Sequence, residues 1–372
     1  MKILLFSRDP GGTNTIIPLI KPLNARGHET DVYGKDFALK KYLEAGISAT
    51  DIARVIPKFN LQNLRNFIHA ISPQVVVTGT SADDHTEKYL WHVCSEENIP
   101  SLAIIDQWCN YGIRFSDYGV DKIQQYDLEK THTWLPTRIA TLDDFAKKEM
   151  IEQGIPEKII DVCGQPYFEM LLNYINNKNN SEYRPNNDNF NIVFCSEPIT
   201  ATYGNNALHT KGYTELTIFK SLVAILDDLN TETEKQIKLI IRPHPKEDKY
   251  KLSACLDDYV NIKWKIDAST PSWELIDKAD LVCGMSSMFL IEALIIGKPI
   301  MSIQIGLCTE DPFVLSRRGV IKSILTQESL KENLRKALTN NDDFKYPTFE
   351  IIPNPVELII KVLEKLSCQN LQ

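Results

Sequence analysis

The sequence predicts an α/β protein with two doubly wound domains facing across a cleft. Three observations carry this. Short apolar runs recur without the polar alternation of a one-sided sheet, as in KILLFS (2–7), QVVVT (74–78) and IKLIIR (237–242). Amphipathic, helix-spaced segments separate them, the pattern of parallel strands covered on both faces. The alternation stops at an Asn-rich stretch and then restarts, and 372 residues fit two domains at roughly 150 residues each.

In chain order, strands are expected at 2–7, 30–33, 74–78, 101–106, 138–142 and 159–163. Helices are expected at 15–26 (stopped by Gly27), 61–71, 86–97 and 143–153. The run NNKNNSEYRPNNDNFN is polar, carries a Pro and has too little apolar surface to pack. It divides the chain into a first domain at 1–175, a linker at 176–190 and a second domain at 191–353. In the second domain strands are expected at 191–195, 237–242, 259–265, 281–284 and 299–304, and helices at 214–227, 271–278, 287–296 (stopped by Gly297) and 327–338. A final helix at 355–366, within a segment 354–372, is free to pack back on the first domain. Ligands of open α/β sheets bind at the carboxyl ends of the strands, so the chemistry is sought there.

Composition narrows the function. Hydrophobic residues are 43% and charged residues 24%, an ordinary globular balance. A net charge of -8 gives no general attraction to nucleic acid. No apolar run approaches the roughly 20 residues needed to span a bilayer. The apolar run of MKILLFSRDPGG is too short for a signal-peptide core. A cytoplasmic protein is expected, with docking at the inner face of a membrane left open. The eight cysteines show no metal spacing and are expected to be buried, reduced thiols. His85 and His92 lack a third ligand, and no metal site and no cofactor are expected.

Three constellations carry chemistry. Ser7-Arg8-Asp9-Pro10-Gly11-Gly12-Thr13-Asn14 follows the first strand. Gly11 and Gly12 allow close backbone approach, the helix start favours an anion, and Asp9 is placed to take a proton. Arg242-Pro243-His244-Pro245 ends a buried strand. Both Arg242 and His244 are suited to donate to phosphate, and His244 to protonate a leaving group; the bland alternative is a turn with Arg242 paired to Glu247 or Asp248. Gly284-Met285-Ser286-Ser287 runs into a helix with one charged residue, Glu292, in an apolar stretch. The serines and helix amides form an anion site, and Glu292 needs a partner, which a ribose diol would supply; the bland alternative is Ser287 as a helix cap with Glu292 bonded to protein groups. Asp83 (beside Asp84) and Asp106 follow further strands of the first domain, and Glu197 follows the first strand of the second. All three are candidates for the cleft.

RPHP after a strand, then GMSS-x4-EA-x3-GKP, resembles the donor domain of GT-B-fold glycosyltransferases, whose two Rossmann-like domains face each other. The pattern is similar to bacterial capsule and surface-polysaccharide transferases that use CMP-activated sugars, to CDP-glycerol glycerophosphotransferases, and to UDP-N-acetylglucosamine 2-epimerase. Gly164-Gln165-Pro166 also resembles the turn that ends the first domain there. The motifs cover Leu239 to Pro299. The resemblance implies His244 near the donor phosphate, Ser286 and Ser287 on it, and Glu292 on the ribose. The acidic pair before a Gly in the CMP-sugar enzymes is not matched: Asp9 stands alone, and Asp83-Asp84 lacks the Gly.

The function expected is a metal-independent glycosyltransferase in polysaccharide or glycoconjugate synthesis. It would move a sugar from a CMP- or UDP-linked donor to a glycan or other hydroxyl acceptor, with Asp9 or another carboxylate of the first domain as base. The alternatives are a nucleotide-sugar epimerase or hydrolase of the same fold, which needs several acids around the sugar and no acceptor, and a non-catalytic binding protein.

Overall fold

The computed structural model describes residues 1–177, 188–204, 211–257, 259–339 and 349–369. Most of the stretch expected as a linker, 178–187, lies outside them. The chain forms two compact units, Met1–Met170 with Ile351–Gln372, and Leu171–Glu350.

The first unit is a seven-stranded parallel sheet of order β3-β2-β1-β4-β5-β6-β7. Its strands are β1 (Lys2–Ser7), β2 (Glu29–Gly34), β3 (Thr50–Asp51), β4 (Val75–Thr78), β5 (Ser101–Ile104), β6 (Arg138–Thr141) and β7 (Ile160–Val162). The run KILLFS explains why both faces are covered. Ile3 and Leu5 join one apolar cluster with Val75, Val77 and Leu363. Leu4 and Phe6 join the opposite one with Leu64, Phe67 and Val76. Each such side chain contributes about 1.5–3 kcal/mol on burial, so no polar alternation is left to read. β1 pairs with β2 on one side (Leu5 beside Val32) and β4 on the other (Leu5 beside Val77). The strand order therefore reverses between β1 and β4.

The C-terminal helix Pro355–Gln369 belongs to this unit; Val356, Ile359, Ile360 and Leu363 are buried against Ile16, Leu19 and Leu23 of the helix Pro10–Ala25. Gly164, at φ +86, leaves room for the chain to pass: a Cβ there would lie 2.9 Å from that of Ile352.

The second unit is a five-stranded parallel sheet of order β10-β9-β8-β11-β12. Its strands are β8 (Asn189–Cys195), β9 (Gln236–Arg242), β10 (Lys263–Ile266), β11 (Leu281–Gly284) and β12 (Ile300–Ser302). β8 lies between β9 and β11, Ile192 facing both Leu239 and Leu281, and the order reverses between β8 and β11.

Several boundaries differ from expectation. The first helix starts at Pro10, not Thr15, because Pro fits the first helical position; Gly11 to Asn14 are helical. β8 starts at Asn189, inside the expected linker. β10 is shorter and later than 259–265, an exposed edge strand that needs no apolar run. Helices at Phe37–Glu44, Ile123–Glu129 and Pro166–Asn177 were not expected. Of the eight cysteines, Cys94, Cys163, Cys195 and Cys283 are buried, Cys109 and Cys255 are partly buried, and Cys308 and Cys368 are exposed. The last two lie on a loop and a terminal helix turn, not on strands. No described helix is long and apolar enough to cross a membrane.

Candidate functional site

Both reversal points bring sequence-predicted residues together. In the first unit the loops after β1, β4 and β5 meet there. Arg8 donates to Asp36 (2.8 Å) and lies 3.4 Å from both Asp9 and Ser81 Oγ and 3.8 Å from Asp84. Asp84 accepts from Lys35 Nζ (2.6 Å) and from the Thr86 amide (2.8 Å). Burial works against its charge, but Lys35 and Thr86 hold it below the usual carboxylate range. Asp83 is exposed and accepts from the Val120 amide (3.1 Å).

The small residues predicted for ligand approach are filled by the protein itself. A Cβ on Gly11 would lie 1.8 Å from Asp106 Oδ2, and one on Gly12 would lie 3.2 Å from the Gly79 Cα. The two glycines thus let the Asp106 carboxylate and the β4 loop close onto the helix N-terminus. Thr13 Oγ1 donates to the Asp9 carbonyl (2.8 Å), and Asn14 Oδ1 accepts from Lys41 (2.7 Å). Asp9 occupies the N-cap position without a side-chain cap bond.

Three residues here were not singled out from sequence. Arg114 is 4% exposed and acts as a bracket. Its Nη1 donates to Asp106 Oδ1 (2.7 Å), the Thr80 carbonyl (2.8 Å) and Thr80 Oγ1 (2.8 Å), and its Nε donates to the Asn110 carbonyl (3.0 Å). Glu87 is 1% exposed and accepts from the Ser81 amide. Burial pushes its carboxyl up to about 8, the Ser81 amide opposes this, and the charges of Asp9, Asp84 and Asp106 add to the rise. Lys88 is buried and donates to the Ala82 carbonyl (3.0 Å); burial brings its ammonium down to about 8. The one early signal was spacing: Glu87, Trp91 and Cys94 share a helix face whose other members are apolar.

In the second unit, the loop after the central strand β8 ties both predicted motifs together. The Ser196 amide donates to the Arg242 carbonyl (2.9 Å) and Ser196 Oγ to Glu247 (3.0 Å). Glu247 also accepts from the His244 amide (2.9 Å). The Lys246 amide donates to His244 Nδ1 (3.1 Å), so the ring proton sits on Nε2, which is a donor. Arg242 Nη1 donates to the Asp267 carbonyl (2.9 Å) and lies 4.0 Å from that carboxylate. Glu247 bridges Ser196 Oγ and the His244 amide across the turn.

At the reversal point itself, Glu197 lies on the serine turn. Its carboxylate accepts from the Met285 amide (3.2 Å), the Ser286 amide (2.6 Å) and Ser286 Oγ (2.8 Å). Burial raises its pKa above the ordinary value, with these donors opposing. Ser287 caps the helix Met288–Ile295, its Oγ accepting from the Phe289 amide (3.2 Å). Glu292 is 8% exposed on that helix. A ligand phosphate on Ser286 meets a carboxylate already there, which the sequence did not show. Among the described residues, no group of three His, Cys, Asp or Glu is arranged to hold a metal ion.

Two Rossmann-like parallel sheets of this order define the GT-B-type fold. No protein-family model matches the chain, and no curated protein matches it by sequence. Solved structures do match in fold. UDP-GlcNAc 2-epimerase from Neisseria meningitidis, bound to UDP-GlcNAc, has a TM-score of 0.67 at 14% identity, over 98% of this chain and 100% of that one. The Methanocaldococcus jannaschii UDP-GlcNAc 2-epimerase in complex with UDP-GlcNAc and UDP gives 0.65 at 16%, over 98% and 100%. MurG from Acinetobacter baumannii gives 0.54 at 10%, over 98% and 99%. The chain thus has a GT-B-like fold that resembles UDP-GlcNAc 2-epimerase.

Proposed function

We propose that this chain is an enzyme acting on a nucleotide-linked sugar, and that it epimerises the sugar without an acceptor. The observation that carries this is the carboxyl cluster at the reversal point of the first sheet. A transferase needs one base for the acceptor hydroxyl. Inverting a carbon centre needs one group to remove a hydrogen and another to return it on the opposite face. Asp84, held ionised, and Glu87, held protonated near neutral pH, show environments that push two acids apart, the pattern that separates base from acid. Asp9 and Asp106 are the partly exposed members through which such a cluster would reach a sugar. The epimerase names of the structural neighbours support the same reading.

In this reading the second unit holds the nucleotide. His244 Nε2 and Arg242 donate to phosphate, the helix Met288–Ile295 turns its N-terminus to it, and Glu292 takes the ribose hydroxyls. As the C2 proton leaves, its bonding pair forms a C1–C2 double bond and the C1–O bond to the nucleotide breaks. The groups of the second unit stabilise the charge so released on the phosphate. Protonation of C2 from the opposite face, with return of the nucleotide to C1, completes the inversion. The chemistry so drawn uses only the chain's own groups.

The test is incubation with UDP-GlcNAc, with and without a hydroxyl acceptor, followed by NMR of the sugar. The expected result is a C2 epimer formed without acceptor. Sugar that stays unchanged alone and moves only to an added acceptor would overturn the reading in favour of a transferase, possible acceptors being glycans or lipid-linked hydroxyls at a membrane face.

A further inference from the structure

We infer that Glu197 is an internal competitor for the ligand's phosphate, so that the serine turn admits an anion only when another part of the same ligand is anchored elsewhere. This deepens the reading above and rests on it, because that reading assigns the turn to phosphate.

Topology supplies the first argument. β8 is the central strand of the second sheet, and the order reverses between β8 and β11, where open α/β sheets take their ligands. Glu197 is the second residue after β8, and its carboxylate sits on the turn after β11. The second argument is the account of donors. The Met285 amide, the Ser286 amide and the Ser286 hydroxyl all go to Glu197. The Ser287 amide also supports the Glu197 charge, while Ser287 Oγ is the acceptor for the Phe289 amide. A phosphate on this turn therefore replaces the Glu197 carboxylate, because two anions on the same donors repel.

The third argument is mechanical. Ser196, one residue earlier, is fixed to Arg242 and Glu247, and Glu247 holds the His244 amide. The Glu197 side chain can leave the turn while Ser196 keeps the RPHP loop in place. A free phosphate has only the turn to bind and loses to a carboxylate tethered beside it. A nucleoside diphosphate anchored at His244 and Glu292 presents its phosphate at high effective concentration and wins. Glu197 is thus a specificity-determining residue that selects nucleoside diphosphates over free phosphate.

The experiment compares wild type, Glu197→Ala, Glu197→Gln and His244→Ala by thermal unfolding in inorganic phosphate and by calorimetric titration with UDP. Phosphate should raise the Tm of Glu197→Ala and leave wild type unchanged. UDP should bind Glu197→Ala about tenfold more tightly than wild type, with Glu197→Gln between them. If phosphate stabilises neither protein and UDP binds Glu197→Ala no better than wild type, the inference is overturned. UDP binding to wild type that is lost in His244→Ala shows that the nucleotide reading survives that failure. Conversely, phosphate stabilisation of Glu197→Ala with no UDP binding to any variant keeps the competitor and removes the nucleotide.

Discussion

At the reversal in the first sheet, between β1 and β4, the chain gathers Asp9, Asp84, Glu87 and Asp106 against Arg8, Lys35 and Arg114. At the reversal in the second, between β8 and β11, it gathers the Met285 and Ser286 amides and the Ser286 hydroxyl on the Glu197 carboxylate. The topology is the same, so the difference lies in the loops. The first edge is stocked with carboxyls in contrasting environments, Asp84 held low and Glu87 pushed up. The second is stocked with groups that donate hydrogen bonds and hold charge without moving it. In the proposed reading one sheet edge does acid–base work on a sugar and the other holds a phosphate.

The largest expected effect breaks the first edge at its bracket. Arg114→Met leaves the Asp106 carboxylate and the Thr80 carbonyl without their donor. Removing one partner of a buried pair costs about 3–5 kcal/mol, to be read by urea unfolding. A loss below about 1 kcal/mol would mean that Asp106 is held by other groups.

The next effect separates the edges by pH. The Glu87 carboxyl has a folded pKa near 8 against an ordinary 4.5, so the folded state binds the extra proton. Its stabilising contribution is complete below pH 4.5 and is lost as pH rises toward 8. Lys88 has a folded pKa near 8 against 10.5, so its charging penalty is present below 8 and relieved as pH rises toward 10.5. Glu87→Gln should flatten the fall of stability between about pH 5 and 8. A variant with the wild-type slope would show that other groups cause it.

A smaller effect tests close packing at the same edge. Gly12→Ala places a Cβ 3.2 Å from the Gly79 backbone. Overpacking of this kind costs about 1–3 kcal/mol, measurable as a lower Tm; an unchanged Tm would show that the β4 loop can yield.

Much of the fold could be read from residues alone, because buried parallel strands are near-continuous apolar runs and β1, β4, β8, β9 and β11 are such runs. β10 was misplaced because an exposed edge strand has no such run. The first helix was started late because Gly11 and Gly12 look like a turn, while Pro10 at the first helical position overrides them. In the site, RPHP and the serine turn were legible as local strings. What joins them was not. Glu197 meets Ser286 only because β8 lies beside β11, a fact of strand order that no local pattern contains. Arg114 was missed for a related reason: a lone charge among apolar neighbours, as in Tyr111–Phe115, shows that a partner is needed but not which one. Glu87 is one charge among several in DDHTEK (83–88), and the string itself does not mark it as the buried one.

The central claim is that the first-sheet carboxyls exchange protons with the sugar while no acceptor is present. The most direct measurement is incorporation of solvent deuterium at C2 of UDP-GlcNAc in heavy water, for wild type and Asp106→Asn. The account predicts exchange by wild type and a fall of about 10²–10⁴-fold in the variant. Wild type that leaves C2 unlabelled, or a variant that exchanges as fast as wild type, would contradict it.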